Sequence, residues 1–143
     1  MVLNYKYKSI NRDDGTIAKL PHIPIEIKGV NPSWIQTMAL VDSGADLCVI
    51  PKDLAELIGL DLTGEITKAN GIGGQVDVIR TKMQIKVGKP HNYHTFENVP
   101  VEVILPKTKA PMILGRSGFF DKFIISFDHH KEKITLKRNQ ERH

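Results

Sequence analysis

Ala39-Leu40-Val41-Asp42-Ser43-Gly44-Ala45 occurs once in the chain. Three apolar residues deliver an aspartate, a hydroxyl residue and a glycine into a turn. Ala45, Leu47, Val49 and Ile50 then resume the apolar pattern. By itself Asp-Ser-Gly is an ordinary turn sequence. Set among so many apolar residues, the carboxylate is costly unless it is hydrogen-bonded or shares a proton. The stretch therefore predicts a buried strand that ends on a functional aspartate.

Alternating strand-like patterns surround it. Ile23, Ile25 and Ile27 alternate with Pro24, Glu26 and Lys28, and Pro24, which donates no backbone bond, predicts an edge strand. Gly29 to Ser33 reads as a turn, Trp34 to Val41 as a strand, and Val49-Ile50 as a short strand ending at Pro51. Pro51 opens a short helix, Lys52 to Ile58, with Gly59 just beyond its end. Ile66 to Ala69 and Gln75 to Ile79 flank Asn70-Gly71-Ile72-Gly73-Gly74, a hairpin with a glycine-rich tip. Met83, Ile85 and Val87 mark another strand. Gly88 to His94 reads as a polar loop, and Val99, Val101, Val103 and Leu105 as a further strand. After the loop Pro106 to Pro111, Met112-Ile113-Leu114 forms a short buried strand ending at Gly115. Ser117 is placed to cap one helical turn through Phe123. Ile124 to Phe127 and Lys133 to Leu136 close the chain as a hairpin. The pattern predicts one mostly-β domain, a closed or barrel-like sheet with one or two short helices.

Composition narrows the function classes. The chain has 143 residues, 41% hydrophobic and 25% charged, the balance of a single globular domain. Cys48 is the only cysteine, which excludes an intrachain disulfide and a multi-Cys zinc site. It reads as a small buried hydrophobe. No apolar stretch has the length of a membrane span, and Met1 to Lys8 lacks the apolar core of a signal peptide, so a cytoplasmic protein with no membrane partner is expected. The net charge of +4 owes much to Lys131, Lys133, Lys137, Arg138 and Arg142. Glu132 and Glu141 dilute that run and no base-stacking motif accompanies it, so it reads as a solvated strand with no nucleic-acid partner. His91, His94, His129 and His130 have no diagnostic metal spacing, and no metal is expected. Gly71-Ile72-Gly73-Gly74 is not a phosphate loop, because no Lys-Ser/Thr follows.

Three elements in order, the Asp42 turn, the glycine hairpin and the Met112 to Gly115 strand, resemble the retropepsin-like aspartic proteases over roughly Ile23 to Leu136. Asp42-Ser43-Gly44-Ala45 is similar to the family's catalytic loop. Gly71, Ile72, Gly73 and Gly74 resemble its substrate-covering flap. Ile113-Leu114-Gly115-Arg116 resembles the segment that passes behind the active site. The resemblance implies a single-lobe retropepsin-like closed β-barrel, the acid protease fold, over residues 21–137. An N-terminal extension (1–20) and a polar tail (138–143) would flank it.

It also implies an aspartic endopeptidase with Asp42 as the catalytic residue. Asp13, Asp14, Asp46, Asp53, Asp61, Asp77, Asp121 and Asp128 are not followed by Ser/Thr-Gly. The second aspartate of the family's pair would therefore come from another copy of the chain, in a homodimer acting on peptide or protein substrates without a cofactor. Ser43 would orient the loop, Gly44 would bring its N–H to the carboxylates, and Ile72 and Gly73 would close over the substrate. Asp46 is either an ion-pair partner of an arginine or a surface charge, and Arg116 either helps hold the dimer or makes a solvent-facing or intrachain salt bridge. The alternative is a retropepsin-fold dimerisation or peptide-binding module with little or no activity. A nucleic-acid-binding β-barrel is a distant third.

Overall fold

The computed structural model describes residues 2–71 and 74–139. Ile72 and Gly73 of the expected flap tip, and residues 140–143 of the expected tail, lie outside the described residues. Twelve strands and one short helix follow in order: β1 (Val2–Lys6), β2 (Lys8–Asn11), β3 (Ile17–Leu20), β4 (His22–Lys28), β5 (Ile35–Val41), β6 (Cys48–Pro51), α1 (Lys52–Leu57), β7 (Ile66–Gly71), β8 (Gly74–Lys89), β9 (Asn92–Ile104), β10 (Met112–Leu114), β11 (Phe123–Asp128) and β12 (Lys133–Arg138). The mostly-β closed barrel expected from the sequence is observed. No helix among the described residues is long and apolar enough to cross a membrane.

Six strands close the barrel in the order β4-β5-β10-β6-β9-β8, with β8 returning to β4, and β7 extends from β8. The period-2 alternation explains it. Ile23, Ile25 and Ile27 are at most 2% exposed, and Ala39, Val41, Cys48, Ile50, Val101, Val103, Met112 and Leu114 fill the same interior. Pro24 marks an edge only in part. Along β5 the strand pairs from His22 to Ile27, whereas β8 joins its other side only over Glu26–Lys28, beyond the residue that lacks an N–H.

β8 joins two segments that the sequence separates. It runs unbroken from the flap-like hairpin into the barrel wall, with a register shift between Met83 and Ile85 where it pairs with β9. Such an irregularity lets one strand bend between two neighbours. The expected polar loop from Gly88 to His94 is a tight hairpin instead. Lys89 pairs with Asn92, leaving Pro90 and His91 at the tip, and His91 takes a φ of 71°. Polar residues here fall on both faces, with Lys89, Asn92 and His94 on the same side as buried Val87 and Phe96, so no apolar alternation distinguishes the strands from a loop.

The helical turn expected at Ser117–Phe123 is absent too. Ser117 pairs with Leu47 in a β-bridge, Gly118 has a φ of +98°, and the Asp121 carboxylate accepts the Gly118 N–H at 3.1 Å. Left-handed backbone at Gly118 does not propagate an α-helix. α1 forms as the sequence indicates, with Pro51 at its N-cap and Gly59 at φ +73° after it.

The chain ends form a separate three-stranded sheet, β1-β12-β11. Its inner face buries Leu3, Tyr5, Ile134 and Leu136 against the barrel, while Lys133 and Lys137 point to solvent. Phe123 carries the join: it meets Phe96, Phe119 and the His94 ring at centroid distances of 5.7, 5.2 and 5.5 Å. Arg138 is not a solvated tail charge. Its guanidinium lies 4.6 Å from the Phe96 centroid and donates to the Lys122 carbonyl at 3.1 Å.

Candidate active site

Asp42 stands just beyond β5, where the strand pattern turns it to the side opposite Ala39 and Val41. Both of those residues are buried in the core, at 0% and 3% exposure, whereas Asp42 is half-buried. The strand end is held on both sides. Val41 N–H donates to the Pro21 carbonyl at 3.0 Å, and Asp42 N–H donates to the Leu114 carbonyl of β10 at 3.1 Å. β10 runs parallel to β5, Leu114 opposite Val41, so two short apolar strands end together beside the carboxylate.

The loop after Asp42 folds back on it. Gly44 N–H donates to Asp42 Oδ1 at 2.9 Å, and Ala45 N–H donates to the Asp42 carbonyl at 3.2 Å. A Cβ on Gly44 would lie 3.2 Å from the same carboxylate oxygen, a contact that only a shift of the loop or carboxylate would relieve. Ser43 is exposed. Residues 45–47 are tied to the Gly115 segment: Arg116 N–H donates to the Ala45 carbonyl and Ser117 N–H to the Asp46 carbonyl, both at 2.9 Å.

Gly115 is where the two segments cross, and a Cβ there would collide with the Leu47 carbonyl and come within 2.9 Å of the Ala45 oxygen. Ile113, Leu114, Gly115 and Arg116 thus lie against the Asp42 loop, linked by hydrogen bonds from β10 and Arg116. Arg116 and Asp46 form an ion pair within the chain at 3.5 Å, both side chains largely exposed. An exposed pair of this kind contributes about 0–1 kcal/mol.

Gly71 and Gly74 face each other at the described end of the β7–β8 hairpin. Gly74 has a φ of +118°, a conformation that a side chain would strain. Lys68 and Asp77 pair across the hairpin arms, and the Asp77 carbonyl accepts the Leu105 N–H at 3.1 Å, fastening the hairpin's base to the end of β9. Cys48, at the start of β6, is fully buried, and burial pushes its thiol up to about 11 against a smaller lowering by the Gly115 backbone.

No group of three or more His, Cys, Asp or Glu side chains is placed to hold a metal ion among the described residues. Sequence reasoning had no means of singling out Glu102. Its Oε2 is buried without a hydrogen-bond partner among the described residues, and only the strand pairing puts it on the Asp42 side of the sheet.

A family model described as aspartyl protease matches residues 23–117, a span that includes both the Asp42 loop and the Gly115 crossing. No curated protein matches the chain. Among solved structures, a retropepsin-like aspartic protease from Rickettsia conorii is similar in fold. It is 22% identical with a TM-score of 0.60, over 95% of this chain and 91% of that one. The EIAV protease complexed with the inhibitor HBY-793 is 25% identical with a TM-score of 0.46, over 68% of this chain and 83% of that one. The matched span and the crossing of the two segments agree on the family, and the mostly-β barrel has the retropepsin-like fold: the chain belongs to the aspartyl protease family.

Proposed function

We propose that the protein is an aspartic endopeptidase whose catalytic pair is Asp42 and Asp42 of the partner subunit of a homodimer. The observation that carries this reading is the Asp42 loop itself. A half-buried carboxylate is held at a strand end, with Gly44 N–H on one oxygen, inside the span that matches the aspartyl protease family. One chain supplies one such loop, and a two-fold axis sets the same residue opposite itself.

Two carboxylates brought together in this way share one proton, because ionising both is unfavourable. The ionised member takes a proton from a water held between them, and that water attacks the peptide carbonyl. The protonated member donates toward the carbonyl oxygen as charge develops there. No covalent intermediate is required. The resulting gem-diol returns a hydroxyl proton to the ionised member, and the other member gives the proton taken from the water to the nitrogen. The C–N bond breaks, and the acid and amine leave with one proton again shared by the pair. The Gly44 N–H fixes the carboxylate it meets, Ser43 orients the loop, and the Gly71–Gly74 hairpin closes over an extended substrate and excludes water.

The test compares wild type with Asp42→Asn on a mixed peptide library from acidic to neutral pH, alongside sedimentation. Cleavage by a dimer, abolished by the substitution, supports the reading. A dimer that binds peptides but cleaves none at any pH is a binding module instead. A strict monomer that cleaves refutes the shared pair.

A further inference from the structure

The face that carries Asp42 extends sideways as a row of register partners. Leu40 precedes Asp42 by two residues and shares its side of β5. It lies opposite Ile113 of β10, Ile113 opposite Val49 of β6, and Val49 opposite Glu102 of β9. Leu40, Ile113 and Val49 are half-buried and stand outside the core. The row is therefore an apolar floor, three strands wide, running from beside Asp42 to a carboxylate.

The chain itself does not hold that carboxylate. Glu102 Oε2 is shielded from solvent and has no hydrogen-bond partner among the described residues. Its register partner on β8, Arg80, is exposed, and the two form no ion pair. The ion pairs among the described residues are Lys52–Glu56, Lys68–Asp77, Lys86–Glu26 and Arg116–Asp46. On the same side of the sheet, Thr67 Oγ1 is likewise buried without a partner. Thr67 lies opposite Val78, two residues from Arg80. A buried carboxylate oxygen without a donor is unfavourable, and a donor carried by a ligand removes the penalty.

We propose that Glu102 is a specificity-determining residue that selects a lysine or arginine side chain of a peptide lying along the Leu40–Ile113–Val49 floor. The inference rests on the reading of the Asp42 face as a peptide site. Three inter-strand steps of about 4.8 Å place Glu102 roughly 14 Å from the Leu40 column. An extended peptide advances about 3.3 Å per residue. With the reach of the two side chains included, the basic residue falls about two to four positions from the cleaved bond. A neutral side chain there leaves Oε2 unpaired, and an acidic one sets two carboxylates together, so discrimination arises from repulsion as well as attraction.

The experiment uses peptides that differ only in carrying lysine, norleucine or glutamate at those positions, with wild type, Glu102→Gln and Glu102→Lys. Wild type is expected to favour lysine over norleucine by about tenfold or more in kcat/KM. Glu102→Gln brings the ratio close to one, and Glu102→Lys turns the preference toward glutamate. Cleavage with a lysine-to-norleucine ratio unchanged by Glu102→Gln overturns the inference and leaves the endopeptidase reading standing.

Fluorescence anisotropy with the same peptides, on the Asp42→Asn background, separates the two ideas. Absent cleavage by the wild-type protein, together with Glu102-dependent lysine binding, refutes the endopeptidase and keeps the specificity role. Absent binding, or binding indifferent to Glu102, overturns the inference.

Discussion

Gly115 crosses Leu47 so closely that a Cβ on the glycine would run into the Leu47 carbonyl group. The contact is between backbones, so no rotamer change relieves it. Because Arg116 and Ser117 then donate to the Ala45 and Asp46 carbonyls, the crossing sets the position of the loop that begins at Asp42.

Gly115→Ala is accordingly expected to destabilise the protein by about 1–3 kcal/mol or more, the usual scale of overpacking. It should also displace the Asp42 loop. Urea unfolding reads the first effect as a lowered midpoint with an unchanged slope. Peptide cleavage or binding reads the second. A midpoint equal to that of wild type would show that the crossing relaxes freely.

Cys48 is predicted to be inert in the folded protein. Its side chain is fully buried, and a thiol pushed up to about 11 is only about one-thousandth thiolate at pH 8. A thiol-specific chromophore should react at pH 8 only after denaturant unfolds the chain. Rapid stoichiometric labelling of the native protein would contradict the assignment.

Two histidines should make the fold sensitive to mild acid. Burial holds His22 below the ordinary histidine range, with its Nε2 unpartnered at the start of β4. Burial, and then the Arg138 guanidinium, does the same for His94 against Phe123. For both, the folded state favours the neutral ring, so the unfolded chain binds more protons below about pH 6.5. Stability is full above that value and falls as the pH drops through it. It levels off once the folded rings are protonated as well.

Urea midpoints between pH 7.5 and 5.5 should show this slope, and His94→Phe should flatten it. Asp14 and Asp61 act in a separate, more acidic window. Threonine hydrogen bonds lower both carboxyls, so their contribution persists through pH 5.5. Midpoints that do not change over this range would refute the histidine account.

Much of the barrel was legible because its strands alternate strictly. Ile23, Ile25 and Ile27, or Val99, Val101 and Val103, announce one buried face without any tertiary information. The failures have local causes. From Gly88 to His94 polar residues occupy both faces of a hairpin, His94 included, so two paired strands read as a loop. At Ser117 a good capping residue precedes Gly118, whose left-handed backbone and bridge to Leu47 replaced the helix with a turn. The outward face of β9 gave no warning of a site at Glu102, because a glutamate alternating with valines reads as solvent-facing.

By itself, then, the amino-acid sequence determined the fold class, the Asp42 loop and the glycine at 115, all carried by local pattern and turn chemistry. Tertiary structure alone decided what lies beside them. Parallel pairing of β10 with β5 brings Leu114 to Asp42 from more than seventy residues away. Pairing across β6 and β9 aligns Leu40, Ile113, Val49 and Glu102 in one row. Register between distant strands is set by the whole buried face at once, because a slip of one residue would turn that entire face to solvent.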